Sequence, residues 1–237
     1  ITSSSILDIY KGESDLSRRA ITYHLAELSF REYLWLYEKI ELPVLSLQEI
    51  VINHRSISIS LLNQFTPLKH FSMYLKIGNY PYFEYNSEEY YQKLRNTVNL
   101  ILEVDLPTAE NIDFQSIAKL KRLLYVISSN VPFTPNIQKM SNALSLNRNA
   151  LVRALQLLDR AELIRMIYKQ TRSISLLNKP DKIWMHNTNL MHAISGEQLE
   201  SGTIRETFFL QNIAHRHSVS LPEKGDVLVD NTYLFQI

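Results

Sequence analysis

The sequence predicts a mainly α-helical chain with small β parts. Apolar side chains recur at helical spacing in several stretches between residues 29 and 161. Apart from the opening residues, β-rich pieces gather after Leu163. Only 5 glycines occur in 237 residues, roughly a third of ordinary usage. Such scarcity argues against glycine-cornered barrels and Gly-rich phosphate loops.

The elements follow in chain order. Asp15 to Tyr37 is helix-rich but uneven, and Ser29 with Glu32 forms a capping-box pattern in which each side chain serves the other's amide. The following EYLWLYEKI puts Leu34, Trp35 and Ile40 at helical spacing, with Pro43 expected to end the helix. A further helix should finish near Ile77, where Gly78 and Pro81 break it. Ser87 opens a strong helix with Tyr91, Leu94, Val98 and Ile101 on one stripe, and Pro107 is expected to stop it.

Asp113 should cap the next helix, apolar at Ile117, Leu120, Leu124 and Ile127. After a short Pro-containing link and NIQKMSNALSL, Asn147 caps a helix with Ala150, Leu151, Ala154, Leu155, Leu158 and Ala161 inward. Two β-rich pieces follow, LIRMIY and SISLL through KIWMH. Residues 195–201 read as loop and Ile204 to His215 as helix. The chain closes on a hairpin turning at Asp230-Asn231.

Composition excludes several classes. The chain is 45% apolar and 21% charged, with 25 basic against 24 acidic side chains, so bulk electrostatics cannot define its partners. It has no cysteine, which removes disulfides, thiolate zinc sites and a cysteine nucleophile. The longest stretch without Lys, Arg, Asp or Glu runs from Leu123 to Gln138. Two prolines interrupt it, and it falls short of the roughly 18–20 apolar residues that span a bilayer. No membrane partner is expected. The opening residues lack a basic region and a long apolar region, so no signal peptide is read and a cytoplasmic location is expected. The chain begins without Met at an apparent strand end and closes on YLFQI, so a piece of a longer protein is expected.

Two constellations carry chemistry. The first is residues 113–186, three helices and then two strands, which is the pattern of a winged helix-turn-helix. Arg148, Arg153 and Arg160 lie on the outward face of its third helix, where they could reach phosphates or guanine edges of DNA. A solvated arginine face, or docking of a protein partner, explains the same pattern. The second is Glu206 on a helix, with Asp226 and Gln236 on successive strands of the hairpin. A helix Glu, a strand Asp and a following acidic or amide residue is how metal-dependent nucleases hold Mg²⁺. Gln in the third position removes a ligand charge, and a nuclease-like fold without activity is the competing reading.

These features occur in the order seen in a family of bacterial and archaeal AAA-type ATPases, whose C-terminal half is usually catalogued as a domain of unknown function. Thr2-Ser3-Ser4-Ser5 resembles that family's polar sensor segment, and Leu16-Ser17-Arg18-Arg19 its Leu-x-Gly-Arg motif. Leu28-Ser29-Phe30-Arg31-Glu32-Tyr33-Leu34 resembles its "pLSFREFL" signature. Tyr74-Leu75, Gly78 and Tyr80-Pro81 resemble its "yL..GGyP", and Glu103-Val104-Asp105-Leu106 a segment at the end of the following helix. KPDKIWMHNTNL, GTIRETFFLQNI and GDVLV resemble the segments that lead into and build the terminal nuclease-like domain. Ser3, Arg18 and Asn79 stand where the family has glycines, and Asn187 or Asn189 where it has Asp.

The resemblance implies four parts. Residues 1–30 end an ATPase core, 31–112 form a helical lid or linker, 113–186 a winged helix, and 187–237 the start of a nuclease-like α/β domain. It implies that Thr2 or Ser3 orients the attacking water and that Arg19 stabilises charge on the transferring phosphoryl group. ATP and Mg²⁺ are then cofactors of the intact protein only, because no Gly-x-x-x-x-Gly-Lys-Ser/Thr loop occurs in these residues. Hydrolysis is expected of the intact protein and not of this chain alone. Homo-oligomers, DNA and a protein partner stay open.

Overall fold

The computed structural model describes residues 23–82, 86–110, 114–169, 179–196 and 199–237. Among them the chain is mainly helical with small antiparallel sheets. It divides into two compact units, Ala26–Tyr90 and a larger one holding Tyr91–Ile237. The segments 113–186 and 187–237 fall together in the larger unit.

The smaller unit opens with α1, Phe30–Tyr33, which runs into a π-helical turn at Leu34–Glu38. The capping box is built as its sequence suggests. Ser29 Oγ accepts from the Glu32 amide at 3.2 Å, while Glu32 accepts from the Ser29 amide at 2.8 Å. The helical run stops at Lys39, before Pro43. Lys39 takes the left-handed conformation (φ 56°) and closes the turn back to the Leu34 carbonyl. Leu34 is buried, but Trp35 is 57% exposed and does not share its face.

Helix α2, Leu47–Leu62, starts at a second capping box formed by Ser46 and Glu49. Helix α3, Pro67–Ile77, has proline in its first turn, where a missing N–H costs no helical bond, and ends at Gly78. Helix α4, Ser87–Leu100, crosses the boundary between the units at Tyr90–Tyr91.

Pro107 does not stop this run. A π-helical turn at Ile101–Asp105 follows α4, and α5, Leu106–Glu110, continues past the proline. The wider turn bonds the Leu106 amide to the Ile101 carbonyl. A π-turn of this kind takes up the carbonyl clash and the missing donor that a proline otherwise imposes. Leu94, Val98, Leu102 and Leu106 are buried along the run.

Asp113 lies outside the described residues. Helix α6, Phe114–Ser128, buries Ile117, Leu120, Leu124 and Ile127. Helix α7, Ile137–Leu144, ends at Ser145 in the left-handed conformation. Asn147 then caps α8, Arg148–Arg160, by accepting from the Ala150 amide at 2.8 Å. Strand β1, Ile164–Ile167, pairs antiparallel with β2, Lys182–Met185, with Ile164 opposite Met185. Phe133 exchanges two 2.8 Å backbone bonds with Ile183 on the other side of β2, so the sheet gains a third, single-residue edge.

A helix not anticipated from the sequence follows at once. Helix α9, Thr188–Ser195, is capped by Asn187, which accepts from the Leu190 amide at 2.8 Å. Helix α10 spans Ser201–Ile213, beginning earlier and ending earlier than its apolar pattern suggested. Strands β3, Val219–Ser220, β4, Val227–Val229, and β5, Tyr233–Phe235, form a small antiparallel sheet in that order. Asp230 and Asn231 turn the β4–β5 hairpin with φ 51° and 54°, the left-handed pair such tight turns need.

Candidate functional site

Thr2, Ser3 and Arg19 lie outside the described residues. The next segments of interest meet within the smaller unit. The rings of Phe30 and Tyr33 pack on Tyr74 with centroids 5.3 and 5.6 Å apart. The Leu28 amide donates to the Asn79 carbonyl at 2.9 Å, and Tyr74 donates its hydroxyl to the Leu28 carbonyl at 2.8 Å. Asn79 Nδ2 donates to that same Tyr74 oxygen at 3.0 Å from a fully buried position. Gly78 leaves no room for a side chain, since a Cβ there would lie 2.5 Å from the Tyr74 ring and 3.0 Å from the Tyr33 ring. Burial pushes the Tyr33 phenol up, with a smaller contribution from the charge of Glu38. The LSFREYL and YL..GNYP segments therefore form one knot of aromatic packing and buried hydrogen bonds.

Arg148, Arg153 and Arg160 are all exposed on α8, while Leu151, Ala154, Leu155, Leu157 and Leu158 face the core. Helix geometry places Arg153 and Arg160, seven residues apart, on nearly the same face, with Arg148 turned roughly 120–140° away from them about the helix axis. Asp159 flanks them. Its carboxylate accepts from the Met166 amide at 2.9 Å, and burial pushes it above the ordinary aspartate range despite that bond and the nearby Arg165.

Glu206, Asp226 and Gln236 are engaged separately. Glu206 accepts from the indole N–H of the buried Trp184 at 3.1 Å. Asp226 accepts from the Ile237 amide at 2.8 Å, and its own amide donates to the Phe235 carbonyl at 3.0 Å. Gln236 is exposed at the end of β5, where the β4–β5 register sets it across from Asp226. Among the described residues, no group of three His, Asp or Glu side chains is placed to hold a metal ion. No helix among them is long and apolar enough to cross a membrane.

One buried polar group was not assembled from the sequence, although Asn187 and Asn189 within it were noted. Asn187, Thr188, Asn189, Thr207 and Gln211 are buried where α9 meets α10. Gln211 accepts from the Thr188 amide at 3.1 Å, so a helix start is held by a side chain of the neighbouring helix. The only sequence signal was the Asn at position 187 before Thr-Asn-Leu, an N-cap pattern without a long apolar run behind it.

A family model described as a domain of unknown function (DUF8612) matches residues 68–201. Uncharacterized protein MJ1637 of Methanocaldococcus jannaschii is 25% identical over 188 residues, 77% of this chain. The chain spans 39% of that relative's length. No solved structure matches it.

Proposed function

This chain belongs to the DUF8612 family, and we propose that it is the C-terminal part of an AAA-type ATP-binding protein. In this reading a nucleotide-binding core lies outside the chain and acts on the modules within it. Residues 31–112 serve as a helical lid, and α6, α7 and α8 with β1 and β2 as a winged helix. Residues 187–237 begin a nuclease-like domain without metal-dependent activity of its own. The protein works in the cytoplasm.

One observation carries the reading. Two segments of the resemblance, 28–34 and 74–81, are knotted together through Tyr33, Tyr74, Gly78 and Asn79. Motifs 40 residues apart that depend on each other's atoms support descent from one structural module, not chance similarity. The relative is longer than this chain, as the reading requires.

The chain's own residues do not hold the triphosphate. They contain no phosphate loop. ATP and Mg²⁺ would be held by the core, where the metal neutralises charge on the β- and γ-phosphates. Arg19 would supply a guanidinium to the transferring phosphoryl group, within one subunit or across a subunit interface, and Thr2 or Ser3 a polar contact to water.

Peptide sequencing of the parent protein tests the premise, and a Gly-x-x-x-x-Gly-Lys-Ser/Thr loop upstream of Ile1 is expected. Arg19→Ala in that protein should lower ATP turnover by about 10³-fold or more while nucleotide binding persists. A parent without the loop, or undiminished turnover in the variant, overturns the reading.

A further inference from the structure

Two clefts flank the outer face of α8, and both are cationic. The first, about 800 Å³, is bounded by Asn136, Arg148, Tyr168, Lys169, Lys179 and Asp181. Three cations there face one carboxylate, and Asp181 already accepts from the Lys169 amide at 2.9 Å. The second, about 610 Å³, is bounded by Arg148, Arg153, Gln156, Asp159, Arg160 and Tyr168. Arg148 and Tyr168 line both, so the two join as one trough from the start of α7, across α8, to the strand ends beyond β1 and before β2.

Five cations line this trough against the carboxylates Asp159 and Asp181, in a chain whose net charge is +1. The walls also carry neutral donors and acceptors. Asn136 and Gln156 are amides on the helices, and Tyr168 is a half-buried phenol whose pKa burial raises, so it stays a donor at neutral pH. Extended positive charge with scattered amides and one aromatic ring matches a repeating anion, in which phosphates are spaced along a polymer and bases lie between them. A helix with its long axis exposed also fits the roughly 12 Å major groove of duplex DNA.

We propose that this trough binds duplex DNA, with Arg153 and Arg160 on the face of α8 entering the groove. Lys169, Lys179 and Arg148 hold the flanking phosphodiester backbone. Lys169 and Lys179 come from the strand side of the trough and were not visible in the arginine pattern of the sequence. The proposal stands apart from the ATPase reading, because every residue in it lies within the described chain.

Fluorescence anisotropy of a labelled mixed-sequence duplex of about 25 base pairs, titrated with the full 237-residue chain at several salt concentrations, tests it. The wild type should bind with a log–log salt slope of about −3 to −5 for up to five phosphate contacts. Lys169→Ala with Lys179→Ala should reduce the slope by about two and weaken binding about 30-fold at 0.15 M salt. Arg148→Ala should reduce it by about one. Both lysines are exposed, so circular dichroism and the thermal midpoint should match the wild type. The pair Arg205→Ala and Arg216→Ala, exposed on the same unit and lining neither cleft, should leave the slope unchanged. Three results overturn the proposal: no salt-dependent duplex binding by the wild type, an unaltered slope in the lysine pair, or tighter binding of the single strand than of the duplex.

Discussion

The indole of Trp184 gives its N–H to Glu206 at 3.1 Å, tying the middle of β2 to the middle of α10. Trp184 is 1% exposed, so the donor has no water to turn to. The carboxylate that resembled a metal ligand in the sequence therefore has a structural task. Glu206→Ala should cost about 1–3 kcal/mol by stranding a buried donor. Glu206→Gln keeps an acceptor and should cost well under half as much. Chemical denaturation of the three proteins decides between them, and equal losses in both variants would refute the structural assignment.

Gly78 should tolerate no larger residue. Its φ is −100°, so the constraint is space and not backbone conformation. Gly78→Ala drives a methyl into the rings of Tyr74 and Tyr33 and should destabilise by about 1–3 kcal/mol. A thermal midpoint within a degree of the wild type would show that the knot yields.

Ser29 should matter more than its position at the head of a four-residue helix suggests. Ser29→Ala removes the hydroxyl that accepts from the Glu32 amide and donates to its carboxylate, keeps the backbone arm from residue 29 to Glu32, and is expected to cost about 1 kcal/mol. Ser29→Asp retains an acceptor for the Glu32 amide and should recover part of that loss unless repulsion from Glu32 offsets it. Parallel urea melts with the single variant Glu32→Gln, which keeps the reciprocal bond, separate the two effects.

Asp159 should make stability fall as pH rises. Its folded carboxyl is raised above the ordinary aspartate value of 3.8, chiefly by burial. The folded state then holds a proton that the unfolded state has lost, so unfolding releases one. The contribution is fully present below pH ~4 and is lost as pH climbs through the raised value. Asp159→Asn should flatten that part of the stability–pH curve and leave the bond from the Met166 amide intact. A curve with the same slope in the variant would show that another group sets it.

Short-range chemistry was the part of this fold most open to reading. The reciprocal bonds of Ser29 and Glu32, the Asn147 cap and the Asp230-Asn231 turn all depend on residues within three or four positions of each other. Pro107 misled because its clash depends on whether the preceding turn can widen, which the π-turn at Ile101–Asp105 settles. Helix α9 was missed because eight residues are too few for an apolar stripe to stand out in the sequence, and its start is held partly by Gln211, more than twenty residues away. Lys169 and Lys179 were missed for a related reason: antiparallel pairing of β1 with β2 is what brings their positions beside Arg148. The roles read into Thr2, Ser3 and Arg19 fall outside the described residues.

The division of the chain at Tyr90–Tyr91 falls in the first turns of α4, not in a loop. A polypeptide cut at that point would begin partway along a helix. Leu94 and Val98, both buried, would then sit on a run shortened at its start. It would also lose Glu88 and Glu89, the acidic first turn that suits the positive end of the helix dipole. A shortened protein meant to keep this core intact should therefore start before Ser87 and not at Tyr91.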